Sequence, residues 1–269
     1  MHRGPAYRFA AGTLRPLVRI LTRRTWHHAD RLPVAGGVVL AVNHQCFLDP
    51  LVVGYFVDEA GREPRFLAKA ELFRVPVLGR LLRSAGQIPV HRRTKAAARA
   101  YADAVAAVER GECVGIYPEG TLTYDPELWP MRGRHGAARV ALATRAPLVP
   151  AAQWGIQELL PPRTGRLRPR PRLRTPVSLA VGDPVDLEDL YARAAEPGVA
   201  ELATERLMAD VTRLLEGLRG ASAPPVRFDP ATMSHPAPPV RADRRPVPEE
   251  ESTRMSDRTD VPDRSGGLA

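Results

Sequence analysis

Two residues in the segment NHQCFLDP (43–50) have types and a spacing that could move a proton: His44 and, five positions on, Asp49. An imidazole oriented by a carboxylate removes a proton from a hydroxyl near neutral pH, because the acid fixes the ring tautomer and stabilises the imidazolium that forms. On one ideal helix five positions separate two side chains by ~140°, so these two meet only if a turn intervenes. The preceding run GGVVLAV (36–42) is short, apolar and β-branched, and it reads as a buried strand presenting Asn43 and His44 at its carboxyl end. A histidine that merely caps the following helix is the plain alternative. Cys46 stands two residues from His44. Neighbouring positions at a helix start point in different directions, and a passive cysteine is commoner than a Cys–His nucleophile.

Other chemistries find little material. His27, His28, His44, His91 and His135 match no ligand spacing such as H-E-x-x-H, and Cys46 and Cys113 are too far apart for a zinc pair, so no metal is expected. Neither G-x-x-x-x-G-K-[ST] nor G-x-G-x-x-G occurs, which removes nucleotide hydrolysis and dinucleotide binding. The net charge is +9, and Lys69 and Lys95 are the only lysines. Nearly all the positive charge is therefore guanidinium, which suits bidentate contact with phosphate. Such a chain could face nucleic acid, anionic lipid or a phosphorylated substrate. A non-enzymatic basic module would explain the charge, but not Asn43, His44, Asp49 and Glu119 at strand ends.

The elements that must position these residues follow from periodicity. With 269 residues, 44% hydrophobic and 26% charged, the chain can bury one sizeable core. Two cysteines make a reducing compartment the default. Apolar runs such as 33–42 fall short of the roughly 20 residues of a spanning helix, and the arginines interspersed through 1–26 do not read as a signal peptide. Tyr7, Ala10, Leu14, Leu17, Val18 and Leu21 recur at helical spacing between arginines. Residues 1–26 are read as a basic amphipathic helix, packed on the domain or lying in a membrane interface.

Strands at 36–42, 65–68, 87–91, 113–117, 148–154 and 177–181 then alternate with helices at 47–57, 72–85 (interrupted by Pro76 and Gly79), 94–109, 135–144 and 187–218 (with a break near Pro197 and Gly198). The pattern predicts a single α/β domain over 27–219, with a mixed, mostly parallel central sheet flanked by helices. From Gly220 prolines multiply and periodicity vanishes, so 220–269 is read as a disordered tail. Its seven arginines face eight acidic residues, which leaves the positive field to the folded part. The run RTGRLRPRPRLR (163–174) is the densest charge cluster, either a solvated connection or a headgroup contact.

Three further segments join NHQCFLDP: GQIPVHR (86–92), YPEGTLT (117–123) and APLVPA (146–151), with AKAELF (68–73), GAAR (136–139) and QWG (153–155) between or beyond them. In this order and spacing, over residues 32–190, they resemble the glycerophospholipid acyltransferase family, whose best-known members acylate 1-acylglycerol-3-phosphate. The resemblance implies that His44 is the base and Asp49 its partner. It places Arg92 on the acceptor phosphate and Glu119, Gly120 and Thr121 in substrate binding, with the apolar stretch 147–150 shaping the pocket. Leu122 stands where the family usually has an arginine implicated in acceptor binding, and Arg132 or Arg134 is the candidate to compensate.

Acyl transfer from a thioester to an alcohol needs a base, oxyanion donors and a site for the acceptor's charged end. It needs no acyl-enzyme nucleophile and no cofactor. The implied partners are a lysophospholipid acceptor, acyl-CoA or acyl carrier protein as donor, and an anionic membrane surface; nucleic acid is not expected. The implied place is the cytoplasm, peripherally at the inner face of the plasma membrane. Leu72, Phe73, Val75, Val77, Leu78, Leu81 and Leu82, interleaved with Arg74, Arg80 and Arg83, would seat the acyl chain or dip into lipid.

Overall fold

Val38–Val42 reads VVLAV, and all five of its side chains are buried. A β-branched run buried on both sides belongs at the centre of a covered sheet. In the computed structural model, which describes residues 5–90, 96–160 and 174–232, this segment is β2. The other strands are β1 (Thr22–His27), β3 (Pro64–Lys69), β4 (Ile88–Val90), β5 (Cys113–Ile116), β6 (Leu148–Trp154) and β7 (Thr175–Val181). They form one sheet in the order β1-β7-β6-β2-β5-β3-β4. Only β6 and β7 pair antiparallel, so the sheet is mixed and mostly parallel, as the sequence implies.

Side chains alternate across β2 with the period of two that a strand imposes. Val39 and Ala41 join a cluster with Val114, Leu148 and Leu207, under α4 (Ala96–Glu109), α5 (Gly136–Thr144) and α7 (Val199–Arg219). Val38, Leu40 and Val42 face the opposite cluster, with Val53 and Phe56 of α2 (Asp49–Glu59). Each such aliphatic side chain stabilises by about 1.5–3 kcal/mol relative to exposure, so the centre of the sheet is the best-anchored part of the chain. The consequence for function lies in the register. Ala41 sits opposite Ile116 on the parallel neighbour β5, so residues 43–44 and 117–120 leave the sheet side by side at its carboxyl edge, where α/β proteins bind ligands.

The N-terminal reading needs a correction. The helix α1 (Pro5–Leu21) ends five residues before Trp26, and Thr22–His27 instead pairs parallel with β7. The sequence TRRTWH alternates buried and exposed positions. Its outward residues are arginine, threonine and histidine, a composition that protects an edge strand from further pairing but carries little apolar signal. The stretch 72–85 divides at Pro76, one of its two expected interruptions, into a 3-10 turn at Ala70–Arg74 and the helix α3 (Pro76–Ser84), which continues through the other, Gly79. Gly79 is required there, because any Cβ would collide with the Phe73 carbonyl. The helical segment 187–218 breaks near Pro197 and Gly198 as its sequence implies, into α6 (Glu188–Tyr191) and α7, with Gly198 between them at φ +86°.

The expected tail boundary also moves. Gly220 ends α7 in a left-handed conformation, but the chain beyond it stays on the domain. Ala223 N–H donates to Glu216 Oε1 (2.8 Å), Arg227 pairs with Glu205 (2.6 Å), and Arg132 N–H donates to Phe228 O (2.8 Å). The described chain runs to a 3-10 turn at Pro230–Thr232; residues 233–269 lie outside the described residues. Truncation after Thr232 is expected to leave the melting temperature unchanged. Truncation after Gly220 should lower it by about 2–5 °C, because several surface pairs are lost together. Equal melting temperatures for the two truncations would show that 221–232 contributes nothing.

Candidate active site

The turn that His44 and Asp49 require is present. Asp49 N–H donates to Cys46 O (3.1 Å), and the Asp49 carboxylate folds back over the turn. Its Oδ2 accepts the N–H groups of Gln45 (2.6 Å) and Cys46 (2.9 Å) and contacts His44 Nδ1 at 2.9 Å. Asp49 is fully buried and is the first residue of α2, where the helix dipole favours negative charge. A carboxylate that already accepts two amides accepts from Nδ1 as well. That fixes the proton on Nδ1 and leaves Nε2 with its lone pair. The segment before His44 is equally constrained: Asn43 Nδ2 donates to Gln153 O (3.1 Å) and receives Gln153 N–H on Oδ1 (2.8 Å), carrying the β2–β6 ladder one residue past the strands.

Glu119 is turned toward backbone amides. Only 2% exposed, it points into the protein: Oε1 accepts His44 N–H (2.8 Å) and Oε2 accepts Met131 N–H (3.1 Å). Burial pushes its carboxyl up to about 8, against the opposing hydrogen bonds from His44, Met131 and Thr123, and the Asp49 charge pushes the same way as burial. Glu119 thus holds the His44 backbone and is not among the residues that line the cavity. Thr123 N–H donates to His44 O (2.7 Å), so both backbone polar groups of the histidine are held by the 117–123 segment. Gly120 and Thr121 line the cavity onto which His44 opens. Arg92 lies outside the described residues, as does all of 163–174 except Arg174. The stretch 147–150 does not line the cavity: Leu148 and Val149 are core residues of β6.

Tyr117 is a site residue that the sequence reading missed. Its ring stacks on the His44 imidazole with centroids 4.1 Å apart and planes at 22°, and Phe66 stacks behind it at 6.1 Å. Gly115 makes room for this column, since a Cβ there would press on the Phe66 ring at 2.5 Å. The alternative nucleophile is excluded by its surroundings. Cys46 is buried, its thiol donates to Leu160 O (3.1 Å), and burial pushes it up to about 12. It is held as the neutral thiol rather than the reactive thiolate.

His44 opens onto a cavity of about 750 Å³ between α1, α2, α3 and β3. Leu14, Leu51, Phe66, Leu81, Leu82 and Leu122 give it apolar walls. The α1 wall is clamped to α2 by Asp58, which accepts both Arg15 Nε (2.6 Å) and Nη2 (2.8 Å) and the Tyr7 hydroxyl (2.9 Å). Leu72, Leu81 and Leu82 face the cavity, whereas Val75 and Val77 are exposed.

A histidine held by a buried carboxylate and lining an apolar cavity in an α/β fold suits an enzyme that acts on lipid-like acyl or alcohol groups. The Acyltransferase family model matches residues 23–154, which include His44, Asp49, Tyr117, Glu119, Gly120 and Thr121. The chain is 30% identical over 149 residues to a 1-acyl-sn-glycerol-3-phosphate acyltransferase of Bacillus subtilis, covering 55% of this chain and 71% of that protein. It is 31% identical over 127 residues to the chloroplastic enzyme BAT2 of Brassica napus, covering 46% of this chain and 34% of the other. The crystal structure of the 1-acyl-sn-glycerophosphate acyltransferase PlsC from Thermotoga maritima shares the fold, with TM-score 0.56, 22% identity and 76% of each chain covered. The chain belongs to the acyltransferase family and is an acyltransferase of the 1-acyl-sn-glycerol-3-phosphate acyltransferase type.

A pH prediction follows from Glu119. Its folded value is raised from 4.5 to about 8. Its contribution to stability is therefore fully present below about 4.5 and is lost as pH rises through about 8. In urea unfolding, wild type should lose stability relative to Glu119→Gln across that window. A constant difference between the two proteins would contradict the burial of this carboxyl. A second expectation concerns Tyr117. Tyr117→Phe should keep the upfield ring-current displacement of the His44 C–H resonances and most of kcat, while Tyr117→Leu should lose the displacement and about tenfold in kcat. Identical His44 resonances in all three proteins would remove the stack.

Proposed function

We propose that the chain transfers a fatty acyl group from an acyl thioester, acyl-CoA or acyl carrier protein, to the free hydroxyl of 1-acylglycerol-3-phosphate, giving phosphatidate. The observation that carries this reading is His44 held by Asp49 at 2.9 Å with Nε2 toward an apolar cavity. His44 Nε2 takes the hydroxyl proton as the acceptor oxygen attacks the thioester carbonyl. The tetrahedral intermediate then expels the thiolate, which takes the proton back from the imidazolium and leaves as thiol. Asp49 keeps the proton on Nδ1 and stabilises the imidazolium. No acyl-enzyme forms, because the alcohol attacks directly. The Gly120 amide is spent on Tyr117 O (2.9 Å), which makes the Thr121 amide at the cavity wall the oxyanion donor in this reading. The acyl chain occupies the apolar cavity, and Arg92 meets the acceptor phosphate. Leu122, buried against the cavity, also suits a related lysolipid as acceptor.

We place the protein peripherally on the inner face of the plasma membrane, in the cytoplasm. Among the described residues no helix is long and apolar enough to cross a membrane. Leu17, Ile20, Phe47, Val75 and Val77 are exposed, with Arg74, Arg80 and Arg83 alongside, a mixture that suits an anionic lipid interface.

Acyl transfer to lysophosphatidate is expected to fall by about 10³-fold or more in His44→Ala and by about 10²–10⁴-fold in Asp49→Asn, with modest changes in KM. Cys46→Ala should retain activity. Full activity in His44→Ala, or inactivity confined to Cys46→Ala, would remove this mechanism.

A further inference from the structure

Position 122 leaves the substrate space without the guanidinium that the resemblance implies, and Leu122 is an apolar part of the cavity wall. Two arginines from the loop before α5 lie near enough to be considered, and the fold sends them in different directions. Arg132 turns away, to Asp229 (3.1 Å) and Glu201 (3.0 Å). Arg134 turns back. Its N–H donates to Pro118 O (2.7 Å), while the next residue of that turn, Glu119, holds the His44 N–H. The histidine and this arginine are thus pinned to consecutive residues, whose Cα atoms are about 3.8 Å apart.

The Arg134 side chain lies across Gly120. A Cβ on that glycine would stand 2.8 Å from Arg134 Cδ and 2.9 Å from Nε. Gly120 therefore does two things: it bends the chain at φ +70° and leaves the groove in which the arginine stem rests. Two other described guanidiniums are occupied. Arg15 is held by Asp58, and Arg219 lies between the Trp129 and Trp154 rings at 3.7 and 4.3 Å. Arg134 is exposed and meets no carboxylate among the described residues.

We propose that Arg134 grips the phosphate of the lysophospholipid acceptor at the rim of the cavity, substituting from the α5 loop for the guanidinium missing at position 122. The assignment rests on the reading of this chain as an acyltransferase for a phosphorylated lysolipid. A guanidinium makes two parallel charge-assisted hydrogen bonds to a phosphate. From the rim, it would hold the charged end of the acceptor while the free hydroxyl reaches His44. Arg134 then acts as a specificity-determining residue, separating phosphorylated from uncharged acceptors.

The test uses the full chain with Arg134→Gln, Arg134→Lys and, as a comparison, Arg132→Gln. Binding of 1-oleoyl-lysophosphatidate and of uncharged 1-oleoylglycerol is titrated, and KM is measured for lysophosphatidate and for oleoyl-CoA. In Arg134→Gln, Kd and KM for lysophosphatidate should rise about tenfold, while Kd for 1-oleoylglycerol and KM for oleoyl-CoA move by less than about twofold. Arg134→Lys should recover part of the loss, and Arg132→Gln should bind lysophosphatidate as wild type does. An unchanged Kd for lysophosphatidate in Arg134→Gln, or equal weakening for both lipids, overturns the assignment. If wild type transfers no acyl group to lysophosphatidate, the functional reading fails by itself. The binding titration then still decides the role of Arg134.

Discussion

The site depends on one carboxylate oxygen. Asp49 Oδ2 gathers three donors, two amides and an imidazole, within 2.9 Å. Hydrogen bonds to a charged group contribute about 1.5–3 kcal/mol each, and here they also bend the chain between β2 and α2 so that a five-residue spacing closes on itself. Were the carboxylate removed, two buried amides and the ring nitrogen would lose their acceptor together. The geometry of the base and the stability of the turn are thus the same feature. The position of Asp49 at the start of α2 adds the dipole of that helix to the same end.

Everything else at the site fixes His44 from a second side. The parallel pairing of β2 with β5 brings 117–123 alongside 43–44. From there Glu119 takes the histidine N–H, Thr123 gives an N–H to its carbonyl, and Tyr117 covers one ring face. A buried glutamate held by two backbone amides and the Thr123 side chain is still costly, and the raised value of its carboxyl expresses that cost. It is retained where it ties the catalytic strand end to the loop that reaches Met131 and Arg134. The cavity wall is built by the same economy of contacts: Asp58, at the other end of α2 from Asp49, clamps α1 over the apolar space.

The apolar strands and most of the helices were legible because burial leaves a run of β-branched residues or a helical period. The run 36–42 announces β2, and its end announces His44. The edge strand β1 was not legible, since it pairs on one side only and its side chains are largely polar. His44 and Asp49 could be found from their place after a buried strand. The part played by Glu119 could not, because a carboxylate that faces substrate and one that folds onto backbone amides read alike in a sequence. Tyr117 was invisible for a related reason, as its stack requires β2 and β5 to be neighbours. Arg132 and Arg134 were indistinguishable two residues apart, and only Asp229 and Glu201, distant in sequence, separate them.

The most direct measurement of this arrangement is the tautomer of His44 in the folded protein, read from the ¹⁵N and ¹H resonances of its ring. With Asp49 Oδ2 accepting from Nδ1, the neutral ring carries its proton on Nδ1, that proton is shifted downfield, and Nε2 shows the resonance of an unprotonated nitrogen. A neutral ring protonated on Nε2, with Nδ1 bare, would contradict the account, because the nitrogen facing the cavity could then accept no proton from an alcohol.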